Sequence, residues 1–388
     1  MDSLEPLDPV ARAGDLGPAL AAAAASIERQ QRLPEPVQEE LHRSRLLRML
    51  LPRSVGGDQI EPVAYCRAVA EIARHDASVA WLVFVANSAA LIAAFLDEEV
   101  ARTIFADPRT VVAWGPPNTT RALAVDGGYR LSGTWDFASG CRHANWMGAH
   151  CHVSEADGSL RLNRQGHPTI RTLLFPATRA TVVDTWNVIG LRGTGSDSYR
   201  VADLFVPEAF STTREDPTLR RERGPLYAFT MQGLYATGVA AVALGTARAM
   251  LDAFVALAAR KSPRGLQRLA DSAVVQGDIG RAEAKLEAAR AYLLETLGSI
   301  YAQADEIEPI ALAERARVRL ACVNAIHAAV EVAYFTYRAA GVDAIFAGSP
   351  YERRFRDIHT LSQQIQSRGA HFEAVGQILL GQPPAVFF

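Results

Sequence analysis

From about Pro18 to Ile104 the apolar positions recur at helical spacing, and the chain reads as a series of helices. An alanine-rich helix over Ala19 to Gln31 is followed by one over Pro36 to Leu50, with leucines at 41, 46, 47 and 50. Gly56-Gly57 interrupts the pattern, and Pro62 to Arg74 resumes it. At His75-Asp76-Ala77-Ser78 a junction is expected, with Ser78 or Asp76 capping the apolar helix beyond. Asp97-Glu98-Glu99 then places acids in the first turn of a short helix, where the helix dipole favours them.

The period changes at Asp107-Pro108. Short β-like runs at Val111–Trp114, Leu123–Val125, Tyr129–Leu131, Met147–Val153, Thr169–Phe175, Val182–Val188 and Tyr199–Val206 are separated by Gly, Pro, Asp and Asn. Runs without helical inserts predict an antiparallel barrel or sandwich of roughly 100 residues. After Pro207 and a charged linker (Arg214-Glu215-Asp216-Pro217, then Arg220 to Arg223), long helices return over Leu226–Lys261, Gln267–Ala304, Pro309–Ala340 and Glu352–Leu380. Pro309 suits a first helical turn and Gly341 a C-terminal cap. The third helix would run about 48 Å, a length typical of bundles. The expected fold is α+β and multidomain: an N-terminal helical domain (1–108), a central β-domain (109–210) and a C-terminal four-helix bundle (211–388).

Composition narrows the function. With 49% apolar and 21% charged residues, the 388-residue chain suits a globular protein. A net charge of −2 gives no footprint for nucleic acid or an anionic membrane. The apolar run Val79 to Leu96 is short for a membrane span and is read as a buried helix. Cys66, Cys141, Cys151 and Cys322 are scattered, which disfavours structural zinc or a disulfide framework. That usage, and an opening Met1-Asp2-Ser3-Leu4-Glu5 without the basic start of a signal peptide, lead to an expected cytoplasmic location. Gly190 to Ser196 is glycine-rich but lacks G-x-G-x-x-G order and precedes a strand, so it is read as a shaped loop rather than a nucleotide fingerprint.

The richest stretch chemically is Asp126 to Gly140. A turn at Gly127-Gly128, a strand Tyr129–Ser132 and a second turn at Gly133 lead to an aromatic strand Trp135-Asp136-Phe137, ending on Ala138-Ser139-Gly140. Two rings two residues apart on a strand share a face. Ser139 can exchange hydrogen bonds, and Gly140 lets a planar ligand approach the backbone. That set suits a flat heteroaromatic such as a flavin ring. Ordinary β-domain core is the competing reading of Trp135 and Phe137.

The order helical domain, β-domain, four-helix bundle resembles the acyl-CoA dehydrogenase superfamily over nearly the whole chain. Tyr129 to Gly140 is similar to its flavin-contacting segment, and Gly190 to Ser196 running on to Phe205-Val206-Pro207 to its loop and strand before the bundle. Arg354-Phe355-Arg356-Asp357 and Gly376 to Gly381 are similar to the two ends of its last helix. A dehydrogenase of this kind needs a carboxylate base. The two usual positions fall near Gln364-Ile365 and near Met231-Gln232-Gly233, and neither holds one. The resemblance is closer to the two-component flavin-dependent monooxygenases (group D), through Trp135 to Gly140 and Asp76 to Trp81. It implies reduced FMN or FAD (FMNH2 or FADH2) from a separate NAD(P)H:flavin reductase. With O2 this gives a C4a-hydroperoxyflavin that oxygenates a small aromatic or amine substrate. A dehydrogenase with an atypical base and a flavin-free binding or structural homologue are the alternatives. A homo-oligomer, dimer or tetramer with the tetramer favoured, is also implied.

Residue by residue, the resemblance makes Ser139, Asn118 and His371 the expected catalytic residues, with Ser139 near flavin N5 or O4 unless it merely caps a strand end. Trp114, Gly115, Trp135, Phe137, Ser139, Gly140 and Arg356 are the expected flavin contacts, with Arg353 and Arg354 as further phosphate candidates unless these arginines pair with Asp357 and Glu352. Asn87, Trp81 and Gln364 are the expected substrate contacts, Asn87 alternatively bonding one helix to another. The family's histidine beside a glutamine is replaced by Gln363-Gln364. His359 and His327 are read as structural.

Overall fold

The computed structural model describes residues 8–163, 166–213 and 216–384. The opening pentapeptide, and Arg214-Glu215 of the expected linker, lie outside them. The first block holds α1 (Pro9–Asp15), α2 (Gly17–Gln30), α3 (Glu35–Arg43), α4 (Pro62–His75), α5 (Ala77–Ala90) and α6 (Glu98–Phe105). Asp76, not Ser78, caps α5, its carboxylate accepting from the Val79 amide at 3.0 Å. Every residue of α5 is buried, which is why its sequence lacks an amphipathic stripe. The stretches Ala77–Phe95, Met231–Ala258 and Leu312–Ala344 are long and apolar enough to cross a membrane, yet 94% of the first one's most apolar window is buried in protein. It is the buried helix expected.

The middle block is one sheet containing β1 (Val112–Trp114), β2 (Arg121–Val125), β3 (Gly128–Trp135), β4 (Trp146–Ser154), β5 (Ile170–Pro176), β6 (Thr181–Val183), β7 (Ser198–Pro207) and β8 (Ser211–Thr212). The strand order is β6-β7-β3-β2-β4-β5-β8, with β1 added to β4. It departs from the antiparallel expectation at two places, since β1 and β2 both run parallel to β4. Gly133 is not a turn. β3 passes through it, and the irregularity is absorbed as a register shift against β7 between Leu131 and Gly133. The run Val182–Val188 supplies only the three-residue β6. On the inner face Trp135 is fully buried, stacks on Tyr199 at 5.3 Å and donates its indole N–H to the His150 carbonyl at 2.9 Å.

Beyond the sheet come α7 (Pro225–Ala228), α8 (Met231–Ala258), α9 (Ala273–Gln303), α10 (Leu312–Ala340), α11 (Glu352–Leu361) and α12 (Ala370–Leu379). The central helix α8 packs on α10, α4 and α5. Gly245 makes the α4 crossing possible, because a Cβ there would lie 2.0 Å from the Ala70 carbonyl oxygen. Two expected helices are divided. Phe229-Thr230 separates α7 from α8, with Thr230 Oγ1 accepting from the Gly233 amide. Gln364 turns extended and takes the Gln366 amide on its own side chain, so the last helix becomes α11 and α12. Pro309 precedes α10 rather than entering its first turn, while Gly341 ends that helix at φ 63° as expected. All four cysteines are free and buried, and no metal-ligand cluster occurs among the described residues.

Candidate active site

The segment Ala138–Gly140 leaves β3 and packs between the N-terminus of α5 and the loop Gly190–Asp197. Two loop-to-loop bonds hold it, from the Ala138 amide to the Asp197 carbonyl at 2.9 Å and from the Gly140 amide to the Thr194 carbonyl at 3.1 Å. The loop is itself anchored on three sides. A Cβ on Gly193 would sit 2.2 Å from Ile27 of α2 and 3.0 Å from Ser78 of α5, and the Leu191 amide donates to Asp357 of α11 at 2.6 Å. Fully buried Asp197 accepts from Arg142 Nε at 2.5 Å and from the Thr185 and Trp186 amides at 3.0 Å each.

Ser139 stands where these parts converge. Trp81 donates its indole N–H to Ser139 Oγ at 3.1 Å, Ser139 Oγ lies 2.7 Å from Ser196 Oγ, and Ser196 Oγ lies 2.7 Å from Thr194 Oγ1. Thr194 Oγ1 ends the series by donating to the Leu191 carbonyl at 2.8 Å. Behind Ser139 and Gly140 is a small cavity of about 30 Å³, walled by Leu33, Leu41, Leu47, Leu82 and Ala86. In front, the ring of Phe137 is 63% exposed and meets Trp186 edge-on at 6.3 Å. Its backbone is left-handed, at φ 58°. On the other side, Gly115 passes so close to Asp136 that a Cβ would lie 2.3 Å from its carbonyl oxygen. Trp114, at the end of β1, lies edge-on to His150 at 4.8 Å.

Trp81, Phe137, Ser139 and Gly140 are thus brought to one edge, with Trp81 engaged as a donor to Ser139, while Trp114 is buried against His150 and Gly115 lies against Asp136. The other expected site residues are elsewhere or already engaged. Trp135 and Phe137 do not share a face, because β3 ends at Trp135 and the chain reverses hand at Phe137. Trp135 is core of the sheet domain, with none of its ring at the surface. Asn87 is fully buried and clamps α5 to the turn before α4, donating to the Leu46 and Val83 carbonyls and accepting from the Leu50 amide. Asn118 closes its own surface loop through the Thr134 carbonyl and the Thr120 amide, each at 2.8 Å. His371 is buried on α12, which packs on α10. Its Nδ1 accepts from Arg319 at 2.9 Å and its Nε2 donates to the Ile365 carbonyl at 2.8 Å, so neither nitrogen is free to move a proton. Burial and then the Arg319 charge hold its pKa below the usual histidine value. Gln364 is folded back on its own turn. Arg356 is bound to Glu352, Glu28 and the Ile189 carbonyl, so it is an ion-pair residue rather than a phosphate grip. Thr194, Ser196 and Trp186 were missed, although hydroxyls at 194, 196 and 198 are the visible signal of a polar ladder.

Asp357, under the loop, is pushed up to about 7 by burial and then by the nearby charge of Asp76, which in turn pairs with Arg353 at 3.3 Å. Its folded pKa lies above the unfolded carboxyl value of about 4. As pH rises from about 4 to 7 the unfolded chain therefore loses this proton first, and the group's contribution to stability falls across that window. Asp357→Asn keeps an acceptor for the Leu191 amide without the charge. Its melting temperature is expected to fall less than that of the wild type between pH 4 and 8. Parallel melting curves across that range would show Asp357 ionised at no such cost.

Comparison with known proteins agrees with this architecture. The acyl-CoA dehydrogenase N-terminal domain model matches residues 18–107 and the C-terminal domain model residues 237–368. The indole-3-acetate monooxygenase of Pseudomonas putida is 29% identical over 363 residues, covering 92% of this chain and 90% of that one. The oxygenase subunit HsaA of a flavin-dependent monooxygenase from Rhodococcus jostii is 27% identical, covering 88% and 90%. Among solved structures, XiaF from a Streptomyces species, in complex with FADH2 and glycerol, superposes with a TM-score of 0.90 at 24% identity, over 98% of this chain and 97% of its own. Helical domain, curled sheet and helical bundle, in this order and with these matches, make the chain a member of the acyl-CoA dehydrogenase superfamily, with flavin-dependent monooxygenases among its relatives.

Proposed function

We propose that the chain is the oxygenase component of a two-component monooxygenase, taking reduced FMN or FAD from a separate reductase and oxygenating a small aromatic or amine substrate. The observation that carries this reading is the edge itself. It presents the exposed ring of Phe137 beside the hydroxyl of Ser139, while the carboxylates beside it are engaged: Asp136 by Ser198 Oγ at 2.6 Å, and Asp197 by Arg142. The two positions where a dehydrogenase of this family carries its base hold Met231 and Gln232, and Gln364. Relatives that are flavin-dependent monooxygenases support the same choice.

Reduced flavin, when bound, supplies the electrons that activate O2 for transfer of one oxygen atom. Phe137 and Gly140 are the residues we assign to holding its ring, and Ser139 to a hydrogen bond at the ring's edge. Trp81 shields Ser139 on the α5 side. A homo-oligomer, with the tetramer favoured, is supported by the exposed apolar residues Val342, Ile345, Phe346, Leu379 and Leu380 at the ends of the bundle. Four free thiols suit the cytoplasm.

Titration with anaerobically reduced FMN and FAD, followed by rapid mixing with aerated buffer, tests the reading. Binding of a reduced flavin and a delayed return of oxidised-flavin absorbance are expected. A protein that ignores reduced flavin, or whose bound oxidised flavin is bleached by an acyl-CoA, would overturn it.

A further inference from the structure

The polarity of the hydroxyl series behind Ser139 follows from the bond that Thr194 Oγ1 donates to the Leu191 carbonyl. A tryptophan N–H donates and never accepts, and each hydroxyl has one hydrogen and two lone pairs. Thr194 gives its hydrogen to the Leu191 carbonyl, which cannot donate. The hydrogen between Ser196 and Thr194 must therefore come from Ser196, and the one between Ser139 and Ser196 must come from Ser139. Ser139 is left with its hydrogen turned away into the loop, one lone pair taken by Trp81 and one lone pair unused among the described residues. Such bonds polarise one another in series, which strengthens the arrangement.

We infer that Thr194 and Ser196 are positioning residues that hold Ser139 as a hydrogen-bond acceptor, and that this selects the reduced over the oxidised form of the flavin. The inference rests on the functional reading above. A reduced flavin carries a hydrogen on N5, whereas the oxidised ring has a lone pair there and an acceptor at O4. An accepting hydroxyl matches the first and leaves both acceptors of the second unsatisfied. It also narrows the two contacts open to Ser139 to N5. The loop is held from the side of the bundle by the Leu191–Asp357 bond, so the polarity is built into the junction of all three domains.

The test uses Ser196→Ala and Thr194→Val, which free the Ser139 hydrogen, and Thr194→Ser, which restores the acceptor. Anaerobic titration gives Kd for oxidised and for reduced FMN and FAD. In the wild type the reduced form should bind more tightly. In Ser196→Ala and Thr194→Val the oxidised-to-reduced Kd ratio should fall by about tenfold, the equivalent of one hydrogen bond, and Thr194→Ser should bring it back. The flavin-free protein provides a second readout: the Trp81 indole N–H cross-peak in a nitrogen-15 spectrum, assigned with Trp81→Phe, should move in the first two variants and return in the third. An unchanged ratio in variants that still bind flavin, or an unmoved cross-peak, overturns the inference while the functional reading stands. A wild type that binds neither redox form overturns both.

Discussion

Trp135→Ala is expected to lower the free energy of unfolding by about 3–5 kcal/mol, the range for a large ring removed from a packed core. The ring is fully buried, stacked on Tyr199 and bonded to the His150 carbonyl, so truncation leaves a cavity and removes that hydrogen bond. Denaturant unfolding followed by circular dichroism measures the loss. Folded Trp135→Ala protein should keep its flavin affinity, since the ring faces away from the edge. A variant of wild-type stability that binds flavin weakly would return Trp135 to the site.

Asp197→Ala should also be strongly destabilising, by about 2–4 kcal/mol, because it removes the one buried acceptor shared by an arginine and two amides, although Arg142 keeps Asp184. Arg142 loses the carboxylate at its Nε, and the Thr185 and Trp186 amides lose their shared acceptor. Asp197→Asn offers a graded comparison, as its side-chain oxygen can still serve the two amides. Its loss should be smaller than that of the alanine variant. Equal losses would mean that the ion pair alone matters and that the amide bonds contribute nothing.

The large divisions of the molecule were legible because they rest on periodicity. A helical spacing up to Ile104, a two-residue spacing to Val206 and a return to helical spacing describe what each segment buries, and burial decides the element. Where a single residue ends an element, periodicity says nothing. The rings at 135 and 137 look paired on paper, but pairing needs a strand that continues through both. The chain stops being a strand at Trp135. Gln364 likewise breaks the last helix through a side chain that caps its own turn. His371 looked available because its partner, Arg319, lies 52 residues earlier. Ser139, Gly140 and Trp81 stand out in the local sequence, whereas Ser196 and Thr194 reach Ser139 only because the fold brings two loops together.

A bulky side chain in left-handed backbone carries a conformational cost of order 1–3 kcal/mol that a glycine would escape. Hydrophobic burial is the usual compensation for such a residue, and Phe137 forgoes most of it by keeping its ring in solvent. Folding thermodynamics therefore gives no reason for an aromatic at this place. A planar ring from outside the chain, as proposed for the flavin, would supply the contact that Phe137 lacks in the isolated protein.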